Sequence, residues 1–224
     1  MLNEWFNLSL GLLAIWALLY HLRPTLRKEM LLMSLFTMPL GLTEPIFVPE
    51  YWHPPSLFNL ATRTGFDLES LIFSFAIGGI ASVLYEALVG AKHRRIKETR
   101  ENYLHYLSIA VPFITFTALY LKSESNPIYL VIISALIGTL ATLLCRPDLS
   151  KNIIAGGLAF LTLYFVTFLI ATLIYPTFIS QAWNLKAISG TLILGIPLEE
   201  LLFALSIGML WSGIYEQATQ YRTE

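Results

Sequence analysis

Carboxylates stand where two of the chain's long apolar runs begin. One run opens on Ile196-Pro197-Leu198-Glu199-Glu200 and another on Phe66-Asp67-Leu68-Glu69-Ser70. Pro197 suits a first helical turn, where its missing N–H costs nothing. Free N–H groups and the helix dipole favour Glu199 and Glu200 in that same turn. Glu199, Phe203 and Ser206 fall on one stripe of such a helix, as do Glu69, Phe73 and Ala76. Glu44, in a Thr-Glu-Pro step, and Glu50 fall at the same level, so six of the fifteen acidic residues gather at one end. Carboxyl groups in an apolar setting resist ionisation, and close neighbours drive a pair apart. One neutral acid then coexists with one carboxylate, which is the pairing that proton transfer needs. With Glu200 beside it, Glu199 is the expected donor. Glu69, or Glu44, is the expected base or cation stabiliser.

The elements that position these acids say nearly the same thing twice. Phe66–Glu86 and Ile196–Glu216 share Leu68/Leu198, Glu69/Glu199, Phe73/Phe203, Gly78/Gly208, Tyr85/Tyr215 and Glu86/Glu216 at a constant offset. Upstream, Arg23-Pro24-Thr25-Leu26-Arg27-Lys28 is echoed by Arg146-Pro147-Asp148-Leu149-Ser150-Lys151. Matched apolar letters are cheap in a greasy chain; matched Glu, Arg, Pro and Lys are not. Hydrophobic residues are 56% of the chain and charged residues 13%. The apolar runs approach the roughly 20 residues that cross a bilayer core. They predict seven transmembrane helices, over Trp5–Leu22, Met30–Val48, Leu68–Val89, Tyr103–Leu121, Ile128–Cys145, Ile153–Ile174 and Leu198–Ile214. The expected fold is therefore an all-α polytopic membrane protein built as a parallel 3+1+3 repeat. It forms one membrane domain over 1–224, with repeat one near 4–90, a connector helix near 103–122 and repeat two near 126–217.

Basic residues set the expected orientation. Arg23, Arg27, Lys28, Lys92, Arg94, Arg95, Lys97, Arg100, Arg146, Lys151 and Arg222 fall on one side, against Arg63, Lys122 and Lys186 on the other. The N-terminus is expected outside and the C-terminus in the cytoplasm. Glu86 and Glu216 follow Tyr85 and Tyr215 at the cytoplasmic ends, where charged anchors are normal. A single cysteine, Cys145, cannot close a disulfide within the chain. His-x-x-Glu-His, His-Glu-x-x-His and paired-cysteine spacings are absent, so no metal site is expected, and no glycine-rich fingerprint marks a dinucleotide or phosphate. The last span holds no lysine for a retinal Schiff base. A proton-coupled transporter, or a non-catalytic membrane subunit with paired glutamates, stays open on the residues alone.

Pro197-Leu198-Glu199-Glu200-Leu201-Leu202-Phe203 resembles the P-[LIV]-E-E-x-x-F signature of the cofactor-independent, integral-membrane lycopene cyclases. That family's duplicated three-helix plan is similar to the repeat found here. Repeat one departs from the signature, with Asp67 for the proline and Ser70 for the second glutamate; Glu44 would take the place of the acid the family sets late in the preceding helix. The resemblance implies a carotenoid cyclase of the isomerase or lyase type, with Glu199, Glu200, Glu69 and Glu44 as catalytic acids. A carboxylic acid protonates the terminal double bond of a linear carotene, a neighbouring alkene attacks the cation, and a carboxylate removes a proton. No electrons are transferred overall, so no cofactor is expected. Carboxylate charge and the faces of Phe73, Phe203, Trp211, Tyr51 and Trp52 would steady the cation. The implied partner is a hydrophobic carotenoid drawn from the lipid membrane, and not nucleic acid; the implied location is the cytoplasmic membrane of a prokaryote. An isoprenoid hydratase is a related alternative, because water admitted to such a site diverts the same cation.

Overall fold

The computed structural model describes residues 3–90, 93–95, 103–219 and 221–223. Asn3 starts the first helix, α1 (Glu4–Leu22), by accepting the Phe6 N–H at 2.6 Å, and Arg23-Pro24 ends it. α2 (Arg27–Thr37) tightens into a 3-10 stretch, Met38–Thr43, and one further turn, Glu44–Phe47. Pro39 and Pro45 supply no N–H to the ladder, which is why the helix narrows there and delivers Glu44 at its end. α3 (Leu68–Val89) is capped by Asp67, whose Oδ1 accepts the Ser70 N–H at 2.5 Å, and stops at Gly90 with φ of 70°. α4 (Tyr103–Tyr120) carries Pro112 within it. α5 (Pro127–Cys145) starts at Asn126, which accepts the Ile128 N–H, and ends before Arg146-Pro147. α6 (Ser150–Ile174) and α7 (Leu198–Thr219) complete the set.

Among the described residues six helical segments are long and apolar enough to cross a membrane: Glu4–Leu22, Pro24–Phe47, Leu68–Val89, Pro127–Cys145, Pro147–Ile174 and Leu198–Thr219. The protein is thus an all-α membrane protein, 80% helical. The expected seventh span falls on α4, whose described apolar stretch, Leu107–Tyr120, is shorter than the rest. α1 and α5 are both 19 residues long, each begun by Asn and ended by Arg-Pro, while α3 and α7 are both 22.

α3 and α7 form the centre, each 67% buried across its apolar window against 22% for α1. Small residues let their neighbours close in. A Cβ on Gly78 would run into the Thr37 side chain of α2, and one on Gly208 would fall 2.8 Å from the Phe160 Cβ of α6. Neither position tolerates even alanine without movement.

The two long loops before α3 and α7 meet over one end of the bundle. Trp52 and Trp183 form an isolated antiparallel bridge, flanked by His53 N–H to the Ala182 carbonyl at 2.7 Å and Asn184 N–H to the Tyr51 carbonyl at 2.9 Å. At the other end β1 (His93–Arg95) pairs antiparallel with the last strand, Tyr221–Thr223. Lys92, Lys97 and Arg100 of the basic loop lie outside the described residues.

Candidate active site

Below the Trp52–Trp183 roof lies a cavity of about 290 Å³. Consecutive residues on a helix point about 100° apart, so Glu199 and Glu200 face different directions. Glu200 lines the cavity, and Glu199 is not among the lining residues. The Glu200 carboxylate is 5% exposed and accepts three hydrogen bonds. Tyr51 Oη–H and Trp183 Nε1–H donate to its Oε1 at 2.5 and 3.0 Å, and Tyr164 Oη–H donates to its Oε2 at 2.6 Å. Burial, reinforced by the Glu200 charge, pushes the Tyr51 hydroxyl well above its ordinary range, so it stays a donor.

Glu44 lines the same cavity from the end of the second span. Its Oε2 accepts the Ser70 hydroxyl at 3.0 Å, and the Trp52 side chain lies close enough to support the same carboxyl group. A close approach fixes this pairing: a Cβ on Gly41 would meet the Ser70 carbonyl oxygen at 2.6 Å. Ser70, which stands in repeat one where Glu200 stands in repeat two, thus serves a carboxylate brought in by the neighbouring element. Asp67, behind it, has its carboxyl pushed up by burial.

Glu69 and Glu199, the two acids expected to share the cavity, instead fasten chain at its margins. Glu69 Oε1 accepts the Asn3 side-chain amide at 2.9 Å and the Leu57 N–H at 2.6 Å. Glu199 Oε1 accepts the Tyr129 hydroxyl at 2.8 Å and the Ser189 N–H at 2.9 Å. Each therefore ties the loop before its helix to the start of α1 or α5, using the orphan-donor chemistry of an irregular segment. Glu50 is exposed and does not line the cavity.

Phe73, Phe203, Trp211, Tyr51 and Trp52 all line the cavity. Tyr164 sits between Phe73 and Phe203, with ring centroids 6.3 and 6.4 Å away. Trp5 packs on Trp52 at 4.5 Å and on Phe73 at 4.9 Å. Nothing in the sequence pattern marks Trp5, Tyr164, Phe168 or Trp183 as site residues, and Ser70 stands out only as a departure from the signature. The nearest thing to a signal at Tyr164 is a hydroxyl in the middle of an apolar run; Trp183 lies in a loop whose partner only the fold reveals.

At the opposite end carboxylate oxygens of Glu29, Glu86 and Glu216 lie within 4.8 Å of one another, all buried. Each also engages a further group. Sequence spacing had placed Glu86 and Glu216 at equivalent helix ends, but not Glu29 with them.

The cavity thus has aromatic walls and two buried acids, one of which accepts three hydrogen bonds. Residues 126–218 match the family model of lycopene cyclase, which supports a lycopene cyclase family and a carotenoid cyclase role. That stretch runs from the cap of α5 through α7 and contains Tyr164, Trp183, Glu199 and Glu200; Glu44 and Tyr51 come from the other half. No curated protein and no solved structure matches the chain.

Proposed function

We propose that this protein is a lycopene-type carotenoid cyclase that closes rings by protonation, carbocation cyclisation and deprotonation inside the membrane. One observation carries the division of labour: Glu200 accepts three close hydrogen bonds, whereas Glu44, on the same cavity, accepts one, from Ser70, with the Trp52 side chain as a weaker neighbour. Hydrogen bonds to the charged form favour it, so Glu200 is the carboxylate; an apolar wall favours the neutral form, so Glu44 is the acid. This reverses the order expected when Glu199 and Glu200 are judged by mutual repulsion alone.

In the reaction Glu44 gives its proton to the terminal double bond of a linear carotene, leaving a tertiary cation. A neighbouring alkene attacks, forming the ring bond and moving the positive charge into the ring. Glu200 removes an adjacent proton and the ring double bond forms. One proton is gained and one lost, so the product is an isomer and the balance requires no redox partner. The Glu200 charge and the faces of Phe73, Phe203 and Trp211 stabilise the intermediate. Tyr51 and Trp52 serve as donor and roof. Glu69 and Glu199 hold the framework. The equal helix pairs support a parallel repeat, and the segregated cations support an external N-terminus in a prokaryotic cytoplasmic membrane, with the acids toward the outer face on that reading.

Glu44→Gln and Glu200→Gln, expressed in bacteria that accumulate lycopene, test the assignment. Loss of an acid or base typically costs on the order of 10²–10⁴-fold in rate. Both variants are expected to insert, fold and leave lycopene linear. Full cyclisation by either folded variant overturns the assignment, and hydroxylated linear products from the parent protein favour a hydratase instead.

A further inference from the structure

The cavity is blind at the acids and open at one side. Among the described residues that line it, only Phe113 and Thr117 are exposed, and both lie on α4. Glu44, Glu200, Tyr51, Trp52 and Trp183 at the far end are buried. The opening looks toward α2, where Phe36, 46% exposed, sits edge-on to Phe113 at 6.1 Å and to Trp211 at 6.0 Å. On its other flank α4 is pinned: a Cβ on Gly138 of α5 would come within 2.9 Å of the Pro112 ring. Widening must therefore occur on the α2 side. The surface around this opening is apolar, with Leu32, Leu35 and Ile114 exposed, as a lipid-facing wall requires. At about 290 Å³ the cavity stands at the lower limit of small-ligand pockets, about 300–1,000 Å³. That is room for the end of a long polyene and not for its length.

Resting on the cyclase reading, we infer that Phe36 and Phe113 frame a lateral mouth through which one end of the linear polyene is admitted from the bilayer while the remainder stays in lipid. A dead-end site with one mouth closes one ring per binding event. The second end is reached only after the molecule leaves, turns and returns. Monocyclic carotene is then a released product and not a bound intermediate.

Two readouts test this on the full-length protein in lipid vesicles. Labelled lycopene is given briefly, followed by a large excess of unlabelled lycopene. The expected result is that label halts at the monocyclic stage; label passing to the bicyclic product undiminished by the chase overturns the inference while leaving the cyclase reading intact. In the second, Phe36→Cys/Phe113→Cys is bridged by a short bis-thiol reagent, with the parent protein, which has only Cys145, treated alongside. Most turnover is expected to be lost in the bridged variant alone. A bridged protein that cyclises as fast as its untreated form overturns the mouth. Absence of any ring formation by the parent overturns the cyclase reading and this inference with it.

Discussion

Removing one hydroxyl, in Tyr164→Phe, should do more harm than removing its neighbour in Tyr51→Phe. Tyr164 Oη is the one donor seen on Glu200 Oε2, at 2.6 Å, among the described residues. Tyr51 shares Oε1 with Trp183 Nε1, which remains at 3.0 Å when the Tyr51 hydroxyl is gone. The Tyr164 ring is stacked on Phe168 at 4.6 Å, and a phenylalanine keeps that stack, so the change is confined to the hydrogen bond. A hydrogen bond to a charged group contributes about 1.5–3 kcal/mol. At about 1.36 kcal/mol per tenfold, turnover by Tyr164→Phe should fall about 10- to 150-fold. Tyr51→Phe should lie at or below the mild end of that range. The assay is initial-rate ring formation in vesicles, read from the pigment spectrum, because ring closure changes the conjugated system. Turnover by Tyr164→Phe within twofold of the parent, or a larger loss in Tyr51→Phe, would refute the reasoning.

Glu199→Gln should retain most turnover, because the amide keeps an acceptor oxygen for the Ser189 N–H, while Glu199→Ala should lower thermal stability in detergent by about 1.5–3 kcal/mol for each charged hydrogen bond lost. A folded Glu199→Gln variant as inactive as Glu200→Gln would return Glu199 to the chemistry. Gly41→Ala should destabilise the protein by roughly 1–3 kcal/mol and separate Glu44 from Ser70, since its Cβ meets backbone that cannot turn aside; an unchanged melting temperature would count against that close approach.

Much of the frame was readable from residue types. The third apolar run, Leu68–Val89, coincides with α3 end to end, because Asp67 caps it and Gly90 stops it. The acids' level was readable too, since Pro197 and Asp67 mark helix starts and Pro45 marks a helix end. Their facing was not. Glu199 and Glu200 differ by one step on a helix, and only the loop that reaches Glu199 with the Ser189 N–H decides which of them turns outward. The same holds for Glu69, claimed by Leu57 and Asn3, residues whose proximity is a property of the loop fold and not of the helix pattern. Ser70 looked like a defect in the repeat; Glu44 fills the place from another element, a substitution in space that no alignment of the two runs displays. The roof was equally hidden, since Trp52 and Trp183 pair across loops that carry no periodicity.

The most direct measurement is cyclisation in heavy water. Purified protein in vesicles prepared in D₂O, supplied with lycopene, should place one deuterium in each ring it closes, because the Glu44 proton exchanges with solvent and the proton removed by Glu200 comes from the substrate. The account predicts a monocyclic product one mass unit heavier than its counterpart made in ordinary water, and none from Glu44→Gln. Rings formed without deuterium would contradict it, since the cation would then arise by some route other than protonation from the protein.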